Sequence, residues 1–262
     1  MKEKFESFVG TLTVKSALVV GLIAGLVLFA VIGFVILGGM AIVKNAKCPV
    51  LTSEEIVAEP VVIPKSDKPV VELFIMSYCP FGLQMQKAYL PVMELFGQKA
   101  EMDIKFVSYA MHDKPEVDEN TRQYCLQKEQ TNKYMAYAKC FVSSDKFATC
   151  LKSTGVDEGK LNSCVTKTDK DFQITEIFND QTSWGSDYPP YPIYTDLNTL
   201  YKVEGSPTLV INGVQVDTDR SPEMIKRAVC DAFNDQPVEC DTVLDLVEAE
   251  PGFDFESFKC YY

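Results

Sequence analysis

Cys79-Pro80-Phe81-Gly82 is the segment whose residue types and placement could do chemistry. That chemistry is thiol-disulfide exchange, in which a thiolate attacks a disulfide sulfur and passes through a mixed disulfide. The thiol follows the apolar run Val70-Val71-Glu72-Leu73-Phe74-Ile75-Met76 and the turn residues Ser77 and Tyr78. Pro80 suits the first position of a helix, where no amide donor is needed. Amide donors and the helix dipole at such a junction favour the thiolate, which is the reactive form. The plain alternative is an inert buried cysteine. Gly82 stands where a C-x-x-C pair carries its second thiol, so the turn cannot resolve a mixed disulfide by itself. A low-molecular-weight thiol or partner protein, a distant cysteine, or the substrate's own second thiol must do so. The last route amounts to isomerase-like shuffling.

The second marker is Gly205-Ser206-Pro207-Thr208, directly before an apolar strand. Cis peptide bonds are nearly confined to X-Pro and are usually retained for a purpose. A cis Pro207 facing Cys79 is expected here, against the alternative of an ordinary trans proline at a strand start. The expected site is therefore Cys79 as nucleophile with Pro207 opposite it. Tyr78, Pro80, Phe81 and Ser206 form the substrate contact, and the Ser206 backbone is placed to pair with an incoming strand. His112, the sole histidine, is as well suited to orienting its loop as to acting as a base.

The elements that must position these residues are readable from period and punctuation. Residues 70–76 read as a short buried strand, and 80–96 as a helix kinked at Pro91 and stopped at Gly97. Met102 to Tyr109 gives a second strand, completing a βαβ unit with a parallel pair. Residues from about 118 to 180 are polar, helix-friendly and cysteine-rich, and read as a helical insert. Tyr188-Pro189-Pro190-Tyr191-Pro192 reads as an exposed rigid loop whose aromatics could line a groove. Thr208–Ile211 and Val214–Val216 flank Asn212-Gly213, a strong hairpin signal. Ser221-Pro222 opens a last helix, running to about Phe233. The order β-α-β, helical insert, β-hairpin, α predicts an α/β, thioredoxin-like fold with a disulfide-rich insertion.

Ala17 to Val43 carries no charge and is long enough, at about 40 Å as a helix, to cross a bilayer core of about 30 Å. The expected layout is a cytoplasmic segment 1–16, a membrane helix 17–43, an extracytoplasmic linker 44–69, a domain 70–240 and a tail 241–262. The basic residues flanking the span barely decide its direction. The nine cysteines decide it better, because all lie after the span, as an oxidising compartment would produce. Cys125, Cys140, Cys150 and Cys164 admit three pairings, Cys230 and Cys240 are expected to pair, and Cys48 and Cys260 are left over. With no C-x-x-C and one histidine, no metal site is expected, and no cofactor motif is present. A net charge of −12 without a basic patch excludes nucleic acid as a partner class.

The chain also resembles the gamma-interferon-inducible lysosomal thiol reductases, a thioredoxin-like group with the signature C-Q-H-G-x-x-E-C-x-x-N-x-x-x-x-C. His112, Glu116, Asn120 and Cys125 fall in register with it, and Ala110 and Val117 replace its first two cysteines. The resemblance continues through Tyr134, Cys140, Cys150, Gly155-Val156-Asp157, Cys164, Val229-Cys230, Pro237 and Cys240, covering about residues 70–240. It implies an oxidoreductase, acting as reductase or isomerase on protein or peptide disulfides, served by a thiol electron donor or resolving partner. That family's site is C-x-x-C, so Gly82 departs from it. A redox-silent thioredoxin-like peptide-binding module is the alternative function, and a purely structural ectodomain a third.

Overall fold

The computed structural model describes residues 62–254 of the 262. Strand β1 (Val70–Ile75) leads through helix α1 (Pro80–Phe96) to strand β2 (Glu101–Phe106). Five helices follow: α2 (Asp113–Glu129), α3 (Thr131–Ser144), α4 (Phe147–Ser153), α5 (Glu158–Phe172) and α6 (Ile174–Asn179). A short α7 (Thr195–Tyr201) returns the chain to β3 (Thr208–Ile211), β4 (Val214–Val216) and α8 (Pro222–Asp231).

The sheet order is β2-β1-β3-β4. β1 is parallel to β2 and antiparallel to β3, and β4 closes the hairpin against β3. A central β1 with one parallel neighbour and a terminal hairpin is the thioredoxin-like arrangement, here with five helices inserted after β2. β1 is buried on both faces because it is central. Its alternation sends Val71, Leu73 and Ile75 into the main core, and Phe74 and Met76 into a smaller cluster with Val107, Val203 and Val210. Leu197 and Tyr201 of α7 cover that smaller cluster.

Among the described residues, three disulfides staple the helices. Cys125 of α2 joins Cys164 of α5, Cys140 of α3 joins Cys150 of α4, and Cys230 of α8 joins Cys240. Each stabilises chiefly by restricting the unfolded chain, typically by about 2–4 kcal/mol.

Several expectations are corrected. The insert begins at Asp113 rather than near residue 118, because Pro115 sits in the first helical turn, where it needs no donor. β2 ends at Phe106, and α8 ends at Asp231. α1, by contrast, has the expected bounds with Pro91 inside it, and it stops as expected at Gly97, whose positive φ of 50° favours a residue without a Cβ. The linker is docked by residue 66: Ser66 N donates to Ala232 O at 2.9 Å, and Asn234 N returns a bond to Ser66 O at 2.9 Å. The tail beyond residue 240 is likewise laid along α8 and α1, as far as Asp254. The expected membrane span 17–43 lies outside the described residues, as do Cys48 and Cys260. Among the described residues no helix is long and apolar enough to cross a membrane.

Candidate thiol site

Cys79 is the N-cap of α1, in extended conformation, with its amide bonded to Met76 O at 3.0 Å. Among the described residues it is the free cysteine, and it is partly exposed. Its Sγ–H donates to the carbonyl of Ser206 at 3.6 Å. The Ser206–Pro207 peptide is cis. The strand-to-helix turn and the loop before β3 therefore face one another with the thiol between them. Pro80 and Phe81 are exposed beside it, and Phe81 stacks under the Arg220 guanidinium at 5.1 Å.

Gly82 explains the missing second thiol in structural terms. A Cβ built there would lie 2.5 Å from Ser206 Oγ and 2.9 Å from Met76 O. Ser206 Oγ is itself held, accepting from Met76 N at 2.9 Å. The space that a side chain at position 82 would need is filled by the Ser206 hydroxyl and by backbone.

Helix α2 builds the back of the site. Glu116 is wholly buried, and its carboxylate accepts from Tyr78 N at 3.1 Å, Met111 N at 2.9 Å and His112 N at 3.3 Å. His112 Nδ1 lies 2.7 Å from the same carboxylate. One turn on, Asn120 Oδ1 accepts from Ser77 N at 3.2 Å. His112, Glu116 and Asn120 thus brace the main chain of the turn carrying Cys79. They do not touch the thiol, so the structure gives His112 an orienting place. Further along the same face, Gln127 pairs with both the N–H and the carbonyl of Ile104 at the outer edge of β2.

Tyr78, directly before the thiol, is partly exposed. Its ring meets Phe141 and Phe253 edge-on, each at 5.6 Å. Burial pushes its hydroxyl above the ordinary tyrosine value. The ring, expected as a substrate contact, packs on these two rings and stays partly exposed. The other wall holds Tyr109, stacked on Tyr188 at 6.1 Å, with its hydroxyl donating to Glu204 O at 2.8 Å. Ser108, Tyr109, Gly185, Ser186, Tyr188 and Pro190 line a cavity of about 420 Å³ there. The 188–192 run is not simply an exposed loop. Tyr191 N bonds Ser108 O at 2.8 Å, Ala110 N bonds Pro189 O at 3.0 Å, and the Tyr191 ring is buried. Its Tyr-Pro alternation resembled a solvent-facing stretch because the bonding partners lie some 80 residues earlier.

The tail is the component that sequence reasoning missed. Gly252 N donates to Pro80 O at 2.9 Å, and Lys87 Nζ bonds Glu250 O at 2.9 Å and Asp254 Oδ1 at 2.7 Å. Gln84 Nε2 donates to Ala249 O at 2.8 Å. Upstream, Leu244 N donates to Glu223 Oε2 at 2.9 Å, and Glu223 N donates to Asp245 O at 3.0 Å. Residues 242–254 are a strap along α8 and the first two turns of α1, ending beside Cys79.

No protein-family model and no curated protein matches the chain. Among solved structures, oxidised DsbA of Mycobacterium tuberculosis is similar at 15% identity and a TM-score of 0.47, covering 69% of this chain and 96% of that one. Reduced DsbG of Mycobacterium tuberculosis, described as a disulfide bond oxidoreductase, matches at 14% identity and 0.47, with 68% and 89% covered. BdbD of Bacillus subtilis matches at 15% identity and 0.44, with 64% and 90% covered.

Proposed function

We propose that the protein is a thiol-disulfide oxidoreductase, acting as reductase or isomerase on protein or peptide disulfides through the single thiol of Cys79. One observation carries this reading: a free, partly exposed thiol at the β1–α1 junction faces the loop of a cis proline. Cys79 is the nucleophile. The first-turn amides of α1 and its dipole stabilise the thiolate and the leaving sulfur. Pro207 and the backbone of Ser206 hold the extended substrate, with Pro80 and the exposed Phe81 as its other contacts. His112, Glu116 and Asn120, the positions shared with the gamma-interferon-inducible lysosomal thiol reductases, hold the turn rather than the substrate. A membrane helix at 17–43, with the domain in an oxidising extracytoplasmic compartment, accords with cysteines that all follow that segment.

The second reading, a redox-silent peptide-binding module, is favoured by one feature, the closed space at Gly82. The test is the rate at which a short peptide disulfide forms a mixed disulfide at Cys79 in the full-length protein, with Cys79→Ser as blank. Reaction faster than that of the same thiol in the urea-unfolded chain supports the enzyme. A folded thiol that reacts no faster, while Cys79→Ser still binds the peptide, establishes the binding module instead.

A further inference from the structure

The cavity of about 420 Å³ behind Tyr109 is lined by Ser108, Tyr109, Gly185, Ser186, Tyr188 and Pro190, none of them charged. Its size falls within the range of about 300–1,000 Å³ for clefts that take small organic groups. Much of its polar lining is already bonded within the protein. Ser108 N donates to Asn198 Oδ1 at 3.1 Å, and Ser108 O accepts from Tyr191 N at 2.8 Å. Ser186 Oγ donates to Tyr188 O and accepts from Tyr188 N, both at 3.2 Å. Tyr109 Oη donates to Glu204 O at 2.8 Å. What is left for an occupant is chiefly the stacked pair of tyrosine rings and Pro190, and Tyr188 is 38% exposed.

The cavity wall and the thiol hang on one loop. Tyr109 bonds the Glu204 carbonyl, and Cys79 bonds the Ser206 carbonyl two residues on. Two residues of extended chain span at most about 7 Å. Tyr109 and Cys79 also pack against the same apolar cluster, which holds Phe74, Met76, Val107 and Val210. Burial, Tyr188 and the charge of Cys79 all raise the Tyr109 hydroxyl above the ordinary tyrosine value, so the thiol is within electrostatic reach of this wall.

We propose that this cavity is a specificity subsite, taking a large apolar side chain of the substrate from beside the attacked cysteine. This rests on the oxidoreductase reading above, and it narrows the substrates to disulfides flanked by such a residue. Aromatic side chains suit it best, because they pair edge-on or offset with tyrosine rings. A charged side chain would lose water there and meet no opposite charge in the lining. An extended substrate advances about 3.3 Å per residue, so about three residues carry a side chain from the Ser206 backbone past Glu204 to the Tyr109 wall. The chemical step is the exchange already described. The Cys79 thiolate bonds to the peptide sulfur, the bond between the two substrate sulfurs breaks, and the second sulfur leaves as a thiolate. The filled cavity holds the peptide in place meanwhile.

The experiment uses the full-length protein and short Gly-Ser peptides, each with one cysteine in disulfide linkage to thionitrobenzoate. Release of the thionitrobenzoate anion gives the rate, with Cys79→Ser as blank. Phenylalanine, alanine or lysine is placed in turn at each position near the cysteine. Wild type is expected to react at least about tenfold faster with phenylalanine than with alanine or lysine at one of these positions. Gly185→Leu and Tyr188→Ala are each expected to bring that ratio below about twofold. A Cβ at Gly185 meets no atom within 4 Å, so the backbone accepts leucine at the cavity wall. The ratio is taken within one protein, so a general loss of reactivity cancels. A phenylalanine-to-alanine ratio below about twofold at every position in wild type, with release still dependent on Cys79, overturns this inference alone. So does lysine reacting as fast as phenylalanine, or a preference that survives in both variants. Release equal in wild type and Cys79→Ser for every peptide overturns the oxidoreductase reading, and this inference with it.

Discussion

At the scale of single residues, Gly82 and Ser206 act as one fitted pair. Alanine is normally better than glycine inside a helix by about 1 kcal/mol. Here the added methyl would press on Ser206 Oγ at 2.5 Å and on the Met76 carbonyl at 2.9 Å, and the second of these is backbone that cannot turn away. Overpacking of that kind costs about 1–3 kcal/mol, so the clash wins and Gly82→Ala destabilises. Ser206→Ala is destabilising for a different reason. It leaves the amide of Met76, a residue 1% exposed, without its acceptor, a loss of about 1–3 kcal/mol. It also removes one of the two atoms that a methyl at position 82 would meet. The double variant is therefore expected to lose less than the sum of the single losses, by at least about 0.5 kcal/mol, in urea unfolding of the three proteins. Strict additivity would mean that the two side chains do not share the space.

At the scale of elements, the strap and α2 show what sequence could and could not disclose. The β1-α1-β2 unit was legible because its strands are apolar and its helix is punctuated by Pro80 and Gly97. The hairpin was legible from Asn212-Gly213, and the positions of Cys79 and Pro207 follow from those elements. α2 was legible as helix, but its role was not. Glu116, Asn120, Gln123 and Gln127 form a polar stripe of helical period, which has the same signature as a solvated face. All but Gln127 are buried; Glu116 and Asn120 satisfy main chain of the Ser77-Tyr78 turn, Gln127 main chain of β2, and Gln123 the side chains of Gln86 and Tyr134, none of which a periodicity reports. The strap was missed because side chains of Gln84, Lys87 and Lys226 hold its carbonyls, and such anchors leave no pattern in the strap's own residues. Its apolar anchor is Phe253, buried against Tyr78 and Phe141. Phe253→Ala is expected to loosen the strap locally while the sheet stays intact. Hydrogen exchange should then rise by at least about tenfold at the Gly252 amide and stay unchanged at Val210, since local opening needs less free energy than global unfolding. Equal acceleration at both would show that the strap and the sheet open as one unit.

At the scale of the whole molecule, two buried carboxylates give stability opposite dependences on pH. Glu119 lies between α2 and α3, bonded to Tyr137 Oη at 3.0 Å, to Gln123 at 2.9 Å and to Arg122. Burial outweighs those partners and pushes its carboxyl from 4.5 up to about 6. A raised value in the fold means a contribution fully present below 4.5 and lost as pH rises through about 6, an amount of about 2 kcal/mol. Glu223 is the reverse case. The Leu244 amide of the strap, with Lys226 and Arg227, holds its carboxyl down at about 2. Its contribution is present above 4.5 and lost as pH falls toward about 2. The net charge of −12 at neutral pH adds self-repulsion that mild acid relieves, in the same sense as Glu119. The joint contribution of these two carboxylates is therefore greatest near pH 4.5 and declines from there to about 6 and toward about 2, on the acid side of neutrality. Melting temperatures of the full-length protein across that range check it. Glu119→Gln should melt lower, because Arg122 loses its partner, yet should abolish the decline between mild acid and neutral pH. Glu223→Gln should lose about 3 kcal/mol at neutral pH, since Lys226 stays buried without its carboxylate, and should flatten the acid limb instead. A decline from mild acid to neutral pH that is as steep in Glu119→Gln as in the wild type would show that Glu119 does not set that limb.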